Sequence, residues 1–145
     1  MPSLPWESDP GTTAVRGEMR ALGFREIGRF QCSANCPEGL IAAFFPPAHI
    51  YAMVFAPVEG RYPVELWCRL DEVTGISVTN HPELQPPLHV PPHGILVHLP
   101  AAQVGALFQS VLEKAAGLDR DSASSEAFVA AYGAARNPAD PLTGG

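Results

Sequence analysis

The sequence predicts a single α+β domain: a mostly antiparallel sheet of about five or six strands, packed by N-terminal and C-terminal helices. Three observations carry that expectation. Residues 39–79 (GLIAAFFPPAHIYAMVFAPVEGRYPVELWCRLDEVTGISVT) read as four strands in consecutive hairpins, with turn residues between apolar runs. Amphipathic helical stripes stand on both sides of that stretch. A chain of 145 residues, 46% hydrophobic and 17% charged, has the size of one domain that forms its core without disulfides or metal.

Taken in order, residues 1–11 are expected to be a disordered lead, because Pro2, Pro5, Pro10 and Gly11 interrupt any periodicity. Trp6 in that lead is expected to dock weakly on the domain. Thr12 or Thr13 suits an N-cap for a short helix with Val15, Met19 and Leu22 on one face, stopped by Gly23. Phe24 to Gln31 follows as a strand with Gly28 at a bulge, and 32–39 as a loop.

The hairpins are tested by their registers. Loops at 46–49 (PPAH), 59–61 (EGR) and 71–75 (DEVTG) pair Phe45 with Ile50, Val58 with Tyr62 and Leu70 with Ile76. Strand side chains alternate between faces, so one face collects Ile41, Ala43, Phe45, Ile50, Ala52, Val54, Ala56, Val64, Leu66, Cys68, Leu70, Ile76 and Val78. That aliphatic face is the expected main core. The other face grades from apolar to polar, through Leu40, Ala42, Phe44, Tyr51, Met53, Phe55, Glu65, Trp67, Arg69, Ser77 and Thr79. In these registers Trp67 lies beside Met53, Arg69 beside Tyr51 and Glu65 beside His81.

Residues 80–94 hold five prolines and read as a stiff surface loop; Ile95 to Leu99 is a short strand suited to an edge. Pro100 fits a first helical turn. Val104, Leu107, Phe108, Val111, Leu112 and Ala115 then form the clearest amphipathic stripe, ended by Gly117 and expected to cover the aliphatic face. A final helix over about 124–135 carries Phe128 and Tyr132, giving a domain over 12–136 and a disordered tail over 137–145.

Composition narrows the functional classes. A net charge of -6 opposes condensation on nucleic acid or on an anionic membrane. Twenty residues without a formal charge separate Glu38 from Glu59, close to what a membrane-crossing helix needs. Pro46, Pro47 and His49 at mid-span argue against a helix there. Three Cys form no legible disulfide framework, and MPSLPWESDPG has neither a basic nor an apolar signal region, so the expected compartment is a reducing cytoplasm.

Metal and covalent chemistry find little support. Pro91 and Pro92 lie between His89 and His93, so helical i, i+4 ligation is closed to them; with Cys32 and Cys36 a zinc site can be drawn but is not required by spacing. No metal and no cofactor is expected. There is no nucleophile elbow, phosphate loop, GxGxxG or HExxH pair. Glu65 and His81 could form an acid/base pair, although a polar sheet edge accounts for them as well.

The mixed face remains. It reads either as a second small core, covered by the last helix through Phe128 and Tyr132 or by the Pro-rich loop, or as a binding surface of Tyr51, Met53, Phe55, Glu65, Trp67, Arg69, Thr79 and His81. The segments LGFREIGRF (22–30), HIYAMVF (49–55), VELWCRLDEVTGISVTNHP (64–82) and VHLP (97–100) together resemble a group of small uncharacterised bacterial proteins. The resemblance implies a bacterial domain of this fold and brings no activity with it. The DEVTG turn departs from the tighter Asp-Gly turn of that pattern, which bears on the register of the third hairpin.

The functional expectation is a non-catalytic interaction or accessory protein that binds a protein partner through the mixed face. The alternative is a small-molecule-binding protein or minor enzyme with a pocket between that face and the 80–94 loop.

Overall fold

A computed structural model of the protein describes residues 4–32, 38–71, 74–81, 93–121, 123–129 and 142–144. The first helix, α1, runs Pro10–Leu22 and begins earlier than the threonines suggest. Asp9 is its N-cap, accepting from the Gly11 N–H at 2.8 Å, and Pro10 takes the first helical position, where no backbone donor is missed. The same proline that reads as a breaker is here a helix start. Gly23 closes the helix in the left-handed region (φ 110). Its N–H donates to the Arg20 carbonyl and the Phe24 N–H to the Met19 carbonyl, both at 3.0 Å, in a Schellman motif.

The stretch ahead of the helix is folded from Leu4 onward, not a loose lead. Leu4 is buried, and its N–H donates to the Glu7 carboxylate at 2.6 Å. Glu7, itself buried, also accepts from Arg29 and Arg16, while the Trp6 indole N–H donates to the Glu38 carbonyl at 2.9 Å. Those bonds hold a segment that the proline count alone marks as unstructured.

The sheet contains β1 (Arg25–Cys32), β2 (Leu40–Phe45), β3 (Ile50–Phe55), β4 (Val64–Arg69), β5 (Thr74–Thr79), β6 (His93–His98) and the three-residue β7 (Leu142–Gly144). Their order is β6-β5-β4-β3-β2-β1-β7. Every pair is antiparallel except β5 with β6, which run parallel. The sheet is thus the mostly antiparallel meander that the sequence predicts, with one crossover at its edge. Strand β1 carries the bulge expected at Gly28, as a register shift between Glu26 and Gly28. The tail segment Leu142–Gly144 pairs with β1, so this part of 137–145 is strand rather than loose tail.

The uncharged run from 39 to 58 is β2, a 3-10 turn at Pro46–Ala48 and β3. Among the described residues no helix is long and apolar enough to cross a membrane.

The first hairpin has the expected register, Phe45 opposite Ile50. The second and third are each displaced by two residues. At the second, Glu59 (φ 49) and Gly60 (φ 77) form a two-residue turn with both centres at positive φ, the I′ geometry, closed by paired bonds of 2.9 Å between Val58 and Arg61. One further irregularity brings Val54 opposite Val64. At the third, the chain returns at Asp71 and Thr74, where the Leu70 N–H donates to the Thr74 carbonyl at 2.9 Å and the Thr74 N–H to Asp71 Oδ1 at 2.9 Å. Both turns are tighter than expected, and because the displacement is even, neither exchanges the two faces.

Helix α2 (Val104–Ala115) crosses β4 and β5 on the aliphatic face and touches α1. It starts four residues beyond Pro100, after a turn in which the Ala102 N–H donates to the Leu99 carbonyl. Val104, Leu107, Val111 and Ala115 are buried against Leu66, Cys68, Ile76 and Val78 in the main core. Of the final helix expected over 124–135, Phe128 and Val129 are helical and the residues from 130 on lie outside those described.

Candidate functional site

The eight residues expected to form a binding surface sit on one face, as alternation requires, and the neighbours within that face differ from expectation. Trp67 lies opposite Tyr51 and Ser77, Glu65 opposite Met53 and Thr79, and Arg69 opposite Gly75. His81 is not beside Glu65 in the register; its ring meets Phe55 edge-on at 6.0 Å, and its carbonyl accepts from the His98 ring. The two-residue displacement of each hairpin accounts for all of these shifts.

This face is closed. Trp67 and Met53 are 0% exposed, Tyr51 and Glu65 2%, and Phe55 and Thr79 are buried as well. Trp67 stacks on Tyr51 at 5.1 Å, and Phe128 stands edge-on to Tyr51 at 5.4 Å while packing on Phe30 at 5.0 Å. The chain after α2 is strapped across the end of this face. The Asp121 N–H donates to the Arg69 carbonyl at 2.8 Å, the Ala123 N–H to His49 Nδ1 at 3.4 Å, and the Ser124 N–H to the Tyr51 hydroxyl oxygen at 3.2 Å. Burial raises the Tyr51 pKa, so the phenol stays protonated. Arg69 is the outer member, with its Nε–H donating to the Asp71 carbonyl at 2.9 Å and lying 3.5 Å from Asp121 Oδ2. Thr79 Oγ1 donates to the Val64 carbonyl at 2.9 Å and accepts from the His81 N–H at 3.0 Å. The arrangement is a second hydrophobic core with a polar border. The pocket expected between this face and the 80–94 loop would be walled by 82–92, outside the described residues.

The drawn zinc set is also only partly in view, since His89, Cys36 and the Cys32 side chain lie outside the described residues. Among the described residues no three His, Cys, Asp or Glu gather as metal ligands. Cys68 is a buried free thiol whose pKa burial pushes up to about 11, and it packs as a small hydrophobe.

No protein-family model, curated protein or solved structure matches the chain significantly. This agrees with a resemblance that rests on fold-forming residues and carries no activity.

Open space lies on the other side of the sheet. A hollow of about 670 Å³ opens between α1, the Arg61–Tyr62 turn and the entry to α2. Its central polar side chain, Asn80, is already engaged: Oδ1 accepts from the Val64 N–H at 2.7 Å and Nδ2 donates to the Ala102 carbonyl at 2.9 Å. The Tyr62 ring lies over Gly11 where any Cβ would collide with it, and its hydroxyl pKa is raised by the hydrogen bond to Asp9.

A second, more enclosed cavity of about 300 Å³ lies under α1. Met19, Phe24, Ile41, Ala43 and Val54 make its apolar wall, and Arg16, Arg20, Arg25 and Glu26 stand around it. Arg16 reaches from α1 to β1 and grips Glu26 with two bonds of 2.7 Å, which straps the helix to the sheet beside the opening. That pairing lowers the Glu26 pKa and raises that of Arg16, so both stay ionised. Small side chains explain the space. Ala43 on β2 and Ala52 on β3 face α1, which leaves room beneath Met19 that a larger residue would fill.

Sequence reasoning missed this cavity, yet a signal existed. Four of the nine Lys and Arg of an acidic chain fall between Arg16 and Arg29, and Arg16 and Arg20 stand one helical turn apart.

Proposed function

We propose that the protein is a non-catalytic binding protein that takes a small ligand in the cavity beneath α1. The observation that carries this reading is the enclosed space of about 300 Å³ with an apolar wall and a charged rim, at the lower end of the size range of ligand sites. The titratable groups around it are three arginines and Glu26, which Arg16 keeps ionised, so no poised acid, base or nucleophile faces the space. A non-catalytic role follows from that lining.

The expected protein partner on the mixed face has weaker support, because Phe128 and Ala123 would have to leave before that surface could be touched. We place the protein in a bacterial cytoplasm, a reading supported by the family resemblance and by the buried free thiol of Cys68.

A neutral fluorescent apolar probe, N-phenyl-1-naphthylamine, tests the site. Its emission should rise on binding to the full chain and should not rise with Ala43→Leu, which puts a larger side chain in the cavity wall. Equal emission from both proteins would place the probe elsewhere and sink the proposal.

A further inference from the structure

We infer that the ligand of the α1 cavity is an amphipathic anion, an alkyl chain ending in one anionic head group. This rests on the reading of the cavity as a ligand site and adds the chemistry of its occupant. The wall accounts for the tail. Met19, Phe24, Ile41, Ala43 and Val54 are all buried and offer no polar side-chain group, so an apolar chain loses nothing by entering and removes its own surface from water. A volume of about 300 Å³ corresponds to about ten waters at roughly 30 Å³ each, which suits a medium-length chain.

The rim accounts for the head group. Three of the chain's nine cations line this one cavity in a protein of net charge -6. Glu26 neutralises Arg16 and leaves Arg20 and Arg25, both exposed and in no salt bridge among the described residues. Arg20 lies in the last turn of α1, where a cation also offsets the negative end of the helix. Arg25, at the start of β1, has no such local role. Both carry long stems that cover apolar surface while the guanidinium stays in water, the geometry that holds an anionic head group at the mouth of an apolar space. A neutral ligand would leave these charges unused, and a cation would be repelled.

Calorimetric titration of the full chain with octanoate, octyl phosphate and octanol separates the possibilities. At least one anion should bind about tenfold tighter than octanol, the worth of two partly screened charge contacts, and the better of the two names the head group. Added salt should weaken the anion and leave octanol unchanged. The double variant Arg20→Ala/Arg25→Ala changes two exposed residues; it should lose that tenfold preference and keep octanol binding. Octanol matching both anions, or unchanged anion affinity in the double variant, would overturn the inference while leaving the cavity as a ligand site. Failure of all three compounds to bind, together with no signal from the neutral probe, would overturn the ligand site itself.

Discussion

Replacing Trp67 by Ala tests whether the mixed face is a core. The indole is fully buried, stacked on Tyr51 at 5.1 Å and lying under the strap that carries Ser124 and Phe128. Deleting a buried Trp side chain costs about 3–5 kcal/mol in transfer and cavity energy, part of it the stacked ring contact. At roughly 3 °C per kcal/mol for a domain of this size, the melting temperature should fall by about 10–15 °C. Arg69→Ala is the control on the same face. Its guanidinium keeps 19% of its side-chain exposure and one bond to the Asp71 carbonyl, so the loss should be about 1 kcal/mol, or a few degrees. Circular dichroism melts of the three proteins at one pH make the comparison. A fall below about 3 °C for Trp67→Ala would mean that Trp67 packs against nothing in solution, and the closed second core would be refuted.

Other outcomes follow from single features. The Arg29 hydrogen bond, with Leu4 and Arg16, holds the Glu7 carboxyl below its ordinary value of 4.5, and Arg16 does the same for Glu26. Their stabilisation is therefore fully present above about 4.5 and lost as pH falls through the lowered values; melting temperature should hold to that point and drop below it, and Glu7→Gln should flatten the drop while costing about 1–2 kcal/mol at neutral pH. Gly23→Ala should destabilise by about 1–2 kcal/mol in a denaturant titration, since φ is 110 and a methyl there would lie 2.9 Å from the Phe45 ring. Cys68 should resist alkylation in the native protein at mildly alkaline pH and react on unfolding, read by mass spectrometry, because its buried thiol has a pKa of about 11.

The two faces of the sheet were legible because alternation has a period of two and both tight turns moved the register by an even number. Ile41, Val54, Leu66 and Ile76 stand together whichever register is chosen, whereas the identity of Trp67's neighbour depends on turns whose φ values no residue type announces. The direction of β6 was not legible, since a strand's residues do not say which way it runs. The helix start was readable in Asp9-Pro10, where one proline serves equally as breaker and as first residue. Closure of the mixed face depends on Ala123, Ser124 and Phe128, far along the chain and without periodicity, so the same residues read as surface or as core. The cavity depends on how far α1 stands off Ala43 and Ala52, a distance set by packing and not by pattern.

The order of the strands also dictates how the molecule opens. From β1 to β5 each strand pairs with its neighbour in sequence, while β6 and β7, at the two edges, are held by contacts that close long stretches of chain. Loop closure costs more entropy as the loop lengthens, so these edges open at the lowest free energy. Amide deuterium uptake should then advance from both margins and reach β3 and β4 last. The cavity wall on β2 and β3 would stay protected while the outer strands exchange, which lets ligand entry proceed by motion of α1 without breaching the centre of the sheet.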